Sequence, residues 1–304
     1  MGSLRFRLLQ RLLALGIIGL GVRSVLLNLD DLALKPVIWQ LDWVPLIEGI
    51  ACTVLAYAIT IWTTGEIIQG WEVRVPALTV IRLWVRSNLA RYSLRPKLAA
   101  RLIAIAEQEA IPQKYFVGAA LHPPLIRLGT GSAVAMVLLG LFRYGNSRFY
   151  FPMLLISALA VFVAVFGLAG TDLPRRIGQD VGRPEMMKPA DTEALGVAVV
   201  TNVVAWTIGG LGLTLIGRGL LEGFQGDWML ITGAAAAASV AGYFFLLFPT
   251  GLLLREAVLY ALLKRDVGVG PALALALAYR VIVTVLELLS STLLLLRRPS
   301  RDLA

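Results

Sequence analysis

Seven apolar stretches, each long enough to cross a lipid bilayer as a helix, constrain this chain more than any other feature. Crossing the hydrocarbon core takes about 20 mostly apolar residues. The stretches that meet this length are residues 8–29, 44–68, 123–142, 149–170, 194–217, 228–248 and 271–296. Because a segment in lipid must satisfy its own backbone hydrogen bonds, the sequence predicts an all-α fold, a polytopic membrane helix bundle of about seven to eight spans.

Composition and charge agree with a membrane protein and argue against a nucleic-acid partner. Hydrophobic residues make up 58% of the chain, charged residues only 15%, and the formal net charge is +9. The lysines and arginines concentrate in the connections between spans, and most of them are cytoplasmic if the N-terminus is cytoplasmic. We therefore expect a multi-pass protein of the cell membrane with a cytoplasmic N-terminus. The arginines of the C-terminal tail conflict with this parity, so the side of the C-terminus stays open.

The sequence lacks the residues that several kinds of chemistry require. Cys52 and His122 are the only cysteine and the only histidine, which excludes an intrachain disulfide and makes a His/Cys metal site unfavourable. The chain has no ATP-binding loop, no paired-aspartate motif of a lipid transferase and no serine-hydrolase motif. We expect no cofactor and no enzymatic activity, and we expect His122 to lie in a loop.

Two segments that are interrupted by proline and glycine suggest paired half-helices. Residues 76–112 are broken at Pro96 and Pro112, and the later segment begins at Pro249 and is broken at residues 268–271. One of them lies in each half of a single integral membrane domain (1–304). The first half (1–170) and the second half (194–304) are joined by a polar cytoplasmic linker (171–193). Paired interruptions of this kind in two halves are typical of re-entrant segments around the central site of a transporter.

Charges within apolar sequence supply the second-half site candidates. Arg255 and Glu256 are adjacent at a predicted helix start, and Arg280 and Glu287 share one face of the last span. Adjacent helical residues point about 100° apart, so Arg255 and Glu256 should have separate partners. We expect Arg280 to pair with Glu256, and Glu287 with Arg255. The two interpretations that remain open are a binding cavity and a polar seam that serves only helix packing.

The first half adds basic candidates. Besides Tyr92, they are the arginines Arg91, Arg95, Arg101 and Arg127. Guanidinium groups suit a phosphate-bearing headgroup, although basic residues near a membrane face also extend to lipid phosphates without specificity. The Pro123-Pro124 pair is expected to open the helix that carries Arg127.

Motifs in both halves resemble the transmembrane family of lysylphosphatidylglycerol synthases, the flippase half of MprF-type proteins. The resemblance covers residues 44–296 and is carried by Ser87-Asn88-Leu89-Ala90-Arg91-Tyr92 with Pro96, by Pro249, Gly251, Arg255 and Glu256, and by Arg280 and Glu287. It implies two pseudo-symmetric halves with re-entrant hairpins that move an anionic or zwitterionic lipid between leaflets. The family's aminoacyl-transferring domain has no counterpart here, so lysyl transfer is not expected.

These observations favour a flippase for a phospholipid or a polyprenyl-phosphate lipid, with a phosphate-bearing membrane lipid as the partner. The alternatives are an accessory subunit of a glycosyltransferase or lipid-modifying enzyme and, less favoured, a membrane enzyme acting on lipid-linked substrates. A homodimer or an enzyme partner is compatible with each.

Overall fold

The computed structural model describes residues 37–70, 75–89, 116–142, 159, 191–244 and 251–296. Within these residues the fold is all-α, as predicted. Its helices are α1 (Trp43–Gln69), α2 (Ala77–Leu89), α3 (Phe116–Phe142), α4 (Thr192–Leu220), α5 (Trp228–Phe244), α6 (Gly251–Leu263) and α7 (Val269–Leu296).

Four of these helices are long and apolar enough to cross a membrane: α1, α3 from His122 to Gly140, α4, and α7 as far as Thr292. Helix α5 is apolar but shorter. The prediction of a multi-pass helical membrane protein is confirmed at this level. The predicted spans at 8–29 and 149–170 and most of the predicted linker lie outside the described residues, Leu159 alone excepted.

Helix α4 is the centre of the described bundle, since it packs against α1, α3, α5 and α7. Its contact with α1 is the most extensive, and two glycines make it possible. A Cβ at Gly212 would lie 2.8 Å from the carbonyl oxygen of Gly49, so only hydrogen fits between the two backbones. The Thr63 and Thr201 hydroxyls add a hydrogen bond of 2.9 Å across the same pair of helices.

A short backbone connection fastens the start of α1 to the end of α4. The Gln40 amide donates to the Leu220 carbonyl at 3.1 Å, and the Asp42 amide donates to the Gly219 carbonyl at 2.9 Å. The Asp42 side chain then caps α1 by accepting from the Val44 amide at 3.2 Å. The segment before α1 thereby satisfies carbonyl groups that the end of α4 leaves without helical partners.

Helix α3 corrects one prediction. Pro123 and Pro124 lie inside the helix, which begins at Phe116, and they do not open it. A proline removes one donor from the helical ladder, but helices in membranes tolerate this where neighbouring groups satisfy the freed carbonyls. The prediction that His122 lies in a loop is also wrong, because His122 belongs to this helix and is 5% exposed.

The predicted short helix followed by a long span is confirmed in the second half. Helix α6 is 13 residues long, and its first residues precede the Arg255-Glu256 pair by one turn. The chain then reverses through residues 264–268, where Gly268 has a φ of +92° that favours glycine. The break therefore precedes Pro271, which lies in the first turn of α7, where a missing amide hydrogen has no cost.

Candidate functional site

Arg255 lies where α6 faces α7, and an aromatic ring is its main neighbour. The Cζ atom of Arg255 is 5.1 Å from the centroid of the Tyr279 ring. Tyr57 of α1 and the adjacent Glu256 are further electrostatic partners of the guanidinium group. A cation above an aromatic face is stabilised by about 0.5–2 kcal/mol, with the larger values where water is excluded.

Glu256 points to a different partner, as its position on the helix requires. Its Oε1 is 3.5 Å from Nη1 of Arg280 on α7, and the two side chains are 12% and 21% exposed. Its Oε2 is buried and accepts no hydrogen bond from the described residues. The predicted pairing of Arg280 with Glu256 is thus present as a long ion pair, which leaves one carboxylate oxygen without a donor.

Glu287 lies farther along the same helix. It is 3% exposed and lies seven residues beyond Arg280, about 10 Å along the axis of α7. Arg255 lies against Tyr279, and the structure shows no ion pair between Arg255 and Glu287 within the described helices. We call the four residues that do come together, Arg255, Glu256, Tyr279 and Arg280, the Arg255 cluster.

A second polar group surrounds Arg127 on α3. Its Nη1 donates to the Thr60 hydroxyl of α1 at 2.5 Å, and its Cζ lies 4.8 Å from the centroid of the Trp206 ring on α4. The Trp206 indole in turn donates to the Thr130 hydroxyl at 3.3 Å. We call Thr60, Arg127, Thr130 and Trp206 the Arg127 cluster.

Gly131 allows the Trp206 ring to pack closely against α3. A Cβ at Gly131 would be 2.8 Å from Cζ2 of the indole, which is closer than real contacts permit. The ring is itself buried, with an exposure of 9%. The position of the aromatic face under Arg127 is therefore fixed by backbone packing as well as by its hydrogen bond.

Helix α1 carries one residue that interacts with each of the two arginines. Tyr57, an electrostatic partner of Arg255, and Thr60, the hydrogen-bond acceptor of Arg127, are three residues apart. Side chains at this spacing lie on one face of a helix, about 4.5 Å apart along its axis. This face of α1 therefore carries the hydroxyl that binds Arg127 and a tyrosine that contributes to the electrostatic environment of Arg255.

The structure brings some predicted site residues together and leaves others apart. Arg255, Glu256 and Arg280 belong to one cluster, Arg127 belongs to a second, and Glu287 lies farther along α7. The remaining candidates, Arg91, Tyr92, Arg95 and Arg101, lie outside the described residues.

The aromatic and hydroxyl partners were not predicted as site residues. The sequence assigned no role at the site to Tyr57, Thr60, Trp206 or Tyr279. One signal was present in the sequence: Thr53, Thr60, Thr63 and Thr64 recur at helical spacing within an apolar span and are all buried. A buried hydroxyl stripe in a membrane helix marks a face that meets polar groups.

Chemically, the two clusters offer guanidinium donors, one incompletely paired carboxylate and aromatic faces, all within apolar helices. Such a set suits recognition of a charged group by ion pairing and hydrogen bonding. Comparisons with protein-family models, with curated proteins and with solved structures find no match for this chain.

Proposed function

We propose that this protein is a lipid flippase, which moves an anionic or zwitterionic phospholipid or a polyprenyl-phosphate lipid between the leaflets of the cell membrane. The headgroup would enter the polar region formed by the Arg255 cluster and the Arg127 cluster, while its tails stay in lipid. The observation that carries the proposal is that ionisable side chains gather within apolar helices: Arg255 lies against Tyr279, Glu256 pairs with Arg280, and Arg127 lies between Thr60 and Trp206. Ionisable groups gathered inside apolar helices characteristically mark a substrate pathway.

The resemblance to the transmembrane family of lysylphosphatidylglycerol synthases supports the same activity. The motif residues Arg255, Glu256 and Arg280, on which it partly rests, are the ones that meet at the α6–α7 contact. The proposal includes seven to eight spans, re-entrant half-helices in two halves, and a cytoplasmic N-terminus. Arg91, Tyr92, Arg95, Arg101 and Glu287 belong to the proposed headgroup pathway on the sequence argument.

A scrambling assay in liposomes tests the proposal. The purified chain is reconstituted without ATP, and reduction of fluorescent lipids by an impermeant reagent reports their movement to the outer leaflet. The lipids are labelled phosphatidylglycerol, phosphatidylethanolamine and a polyprenyl phosphate. We expect wild-type protein to accelerate at least one of them above protein-free liposomes.

The matched variants are Arg255→Ala and Arg265→Ala. Arg265 is an exposed arginine of the α6–α7 turn, so its loss should leave transport unchanged, whereas loss of Arg255 should reduce the rate by about tenfold or more, the effect of one charged hydrogen-bonding partner. Equal rates for the two variants would remove Arg255 from the pathway. Failure of wild-type protein to move any of the three lipids would refute the transport activity.

A further inference from the structure

Arg127 is a membrane cation whose charge the described protein does not neutralise. A guanidinium carries five N–H donors, and in the described helices its partners are the Thr60 hydroxyl, at 2.5 Å, and the Trp206 ring, at 4.8 Å. No carboxylate of the described residues forms an ion pair with it. Most of its donor capacity is therefore directed at groups other than those of these helices.

The Arg255 cluster differs from the Arg127 cluster because it contains a carboxylate that pairs with one of its arginines. There, Arg280 forms an ion pair with Glu256. Arg127 lies within the apolar span of α3, five residues after its first residue, His122, where an unpaired charge is expensive. A position of this kind is stabilised when an anion occupies it, because ion pairing and hydrogen bonding then offset the cost of removing the cation from water.

The surroundings of Arg127 also hold its side chain in a defined orientation. The hydroxyl of Thr60 donates to the Ala56 carbonyl at 2.8 Å, so its lone pairs face the guanidinium. Trp206 supports the other side, and Gly131 fixes the ring in place. Because the planar guanidinium group of Arg127 is already held in one orientation, it loses little entropy when it binds a planar or tetrahedral oxyanion.

We infer that Arg127 is the anchor of a binding site for a singly charged phosphate group, with Thr60 and Trp206 as its positioning residues. One uncompensated positive charge matches one negative charge, and a guanidinium fork matches two phosphate oxygens. The group is either the phosphodiester of a lipid headgroup or free phosphate. The inference deepens the proposed function, on which its lipid form rests, because it names the headgroup atoms that the Arg127 cluster holds.

Binding is measured on the full chain in neutral maltoside micelles, independently of transport. The probes are dihexanoyl phosphatidylglycerol, inorganic phosphate and the uncharged dihexanoylglycerol. Tryptophan fluorescence is recorded on titration, and the part that disappears in Trp206→Phe is assigned to the ring beside Arg127. We expect a saturable Trp206 signal with phosphatidylglycerol, and none with dihexanoylglycerol.

The variants Arg127→Gln and Arg265→Gln make a matched pair. The midpoint of the phosphatidylglycerol titration should rise about tenfold or more in Arg127→Gln and stay unchanged in Arg265→Gln. Equal midpoints in wild type and Arg127→Gln, or an equal response to dihexanoylglycerol, would overturn the inference. A response to inorganic phosphate supports the free-anion form, a response to the lipid alone supports the headgroup form, and a response to neither overturns both.

Two milder variants protect the test against misfolding. Arg127→Lys keeps the charge but loses the fork, and Thr60→Val keeps the shape but loses the oxygen that receives Nη1. Both should weaken binding by a few fold, and wild-type affinity in both would overturn the inference. Phosphate binding without any lipid movement would refute the flippase proposal and leave this site intact, whereas lipid movement that is insensitive to Arg127→Gln would do the reverse.

Discussion

The Glu256–Arg280 pair makes a quantitative prediction about the stability of the bundle. The two charged atoms are 3.5 Å apart on side chains that are 12% and 21% exposed. At about 4 Å, opposite unit charges attract by about 4 kcal/mol for an effective dielectric constant near 20. Removing both groups from water offsets much of this, so the net coupling should be about 1–3 kcal/mol.

A double-mutant cycle of Glu256→Gln, Arg280→Gln and the double variant measures that coupling. Each single substitution removes one member of a largely buried ion pair and should lower the free energy of unfolding by about 3 kcal/mol. The double variant should lose less than the sum of the two. Denaturant unfolding in micelles, followed by intrinsic fluorescence, provides the free energies.

Arg265→Gln is the control, since this side chain is exposed and its loss should change stability by less than about 0.5 kcal/mol. Single-substitution effects that add to within about 0.5 kcal/mol would contradict the coupling, because additivity is the behaviour of residues that do not interact. In that case the α6–α7 contact would owe nothing to the ion pair.

Two glycine substitutions test the packing that positions the clusters. Gly212→Ala would place a Cβ 2.8 Å from the Gly49 carbonyl oxygen and should lower the free energy of unfolding by about 1–3 kcal/mol. Gly196→Ala in the same helix is the control, because a Cβ there meets nothing within 4 Å and should not change the stability. Equal melting temperatures of the two variants in a thermal unfolding experiment would contradict this expectation. Gly131→Ala would press on the Trp206 ring and should cost a similar amount and shift the Trp206 emission, with Gly140→Ala, which also meets nothing within 4 Å, as its control. An unchanged emission spectrum in Gly131→Ala would show that the ring does not depend on this glycine.

The sequence predicted the described helices better than their contacts. Residues 44–68, 194–217 and 271–296 correspond closely to α1, α4 and α7, because uninterrupted apolar length is a strong signal for a membrane helix. The predicted start of α3 was wrong because Pro123 and Pro124 were given the role that proline has in soluble helices. Within an apolar bundle, the alternative to continuing the helix is exposing the backbone to lipid, which is costlier than one lost hydrogen bond.

The candidate site was predictable in its charges but not in its neutral partners. Helical geometry alone separates Arg255 from Glu256, and the pairing of Glu256 with Arg280 follows from the antiparallel arrangement of α6 and α7. That Arg255 lies against Tyr279, and Arg127 against Trp206, depends on how the helices rotate about their axes. That rotation is set by small residues such as Gly131, whose neighbours are distant in sequence.

The backbone connection between the start of α1 and the end of α4 also affects how the protein is made. The same two segments share a further hydrogen bond, from the Gln40 side-chain amide to the Arg218 carbonyl, and these two residues are 178 positions apart. Since the ribosome delivers the chain from its N-terminus, α1 enters the bilayer long before its principal neighbour is synthesised. Until then its row of threonines meets lipid or a temporary companion, so assembly of the completed bundle is a late event in biosynthesis.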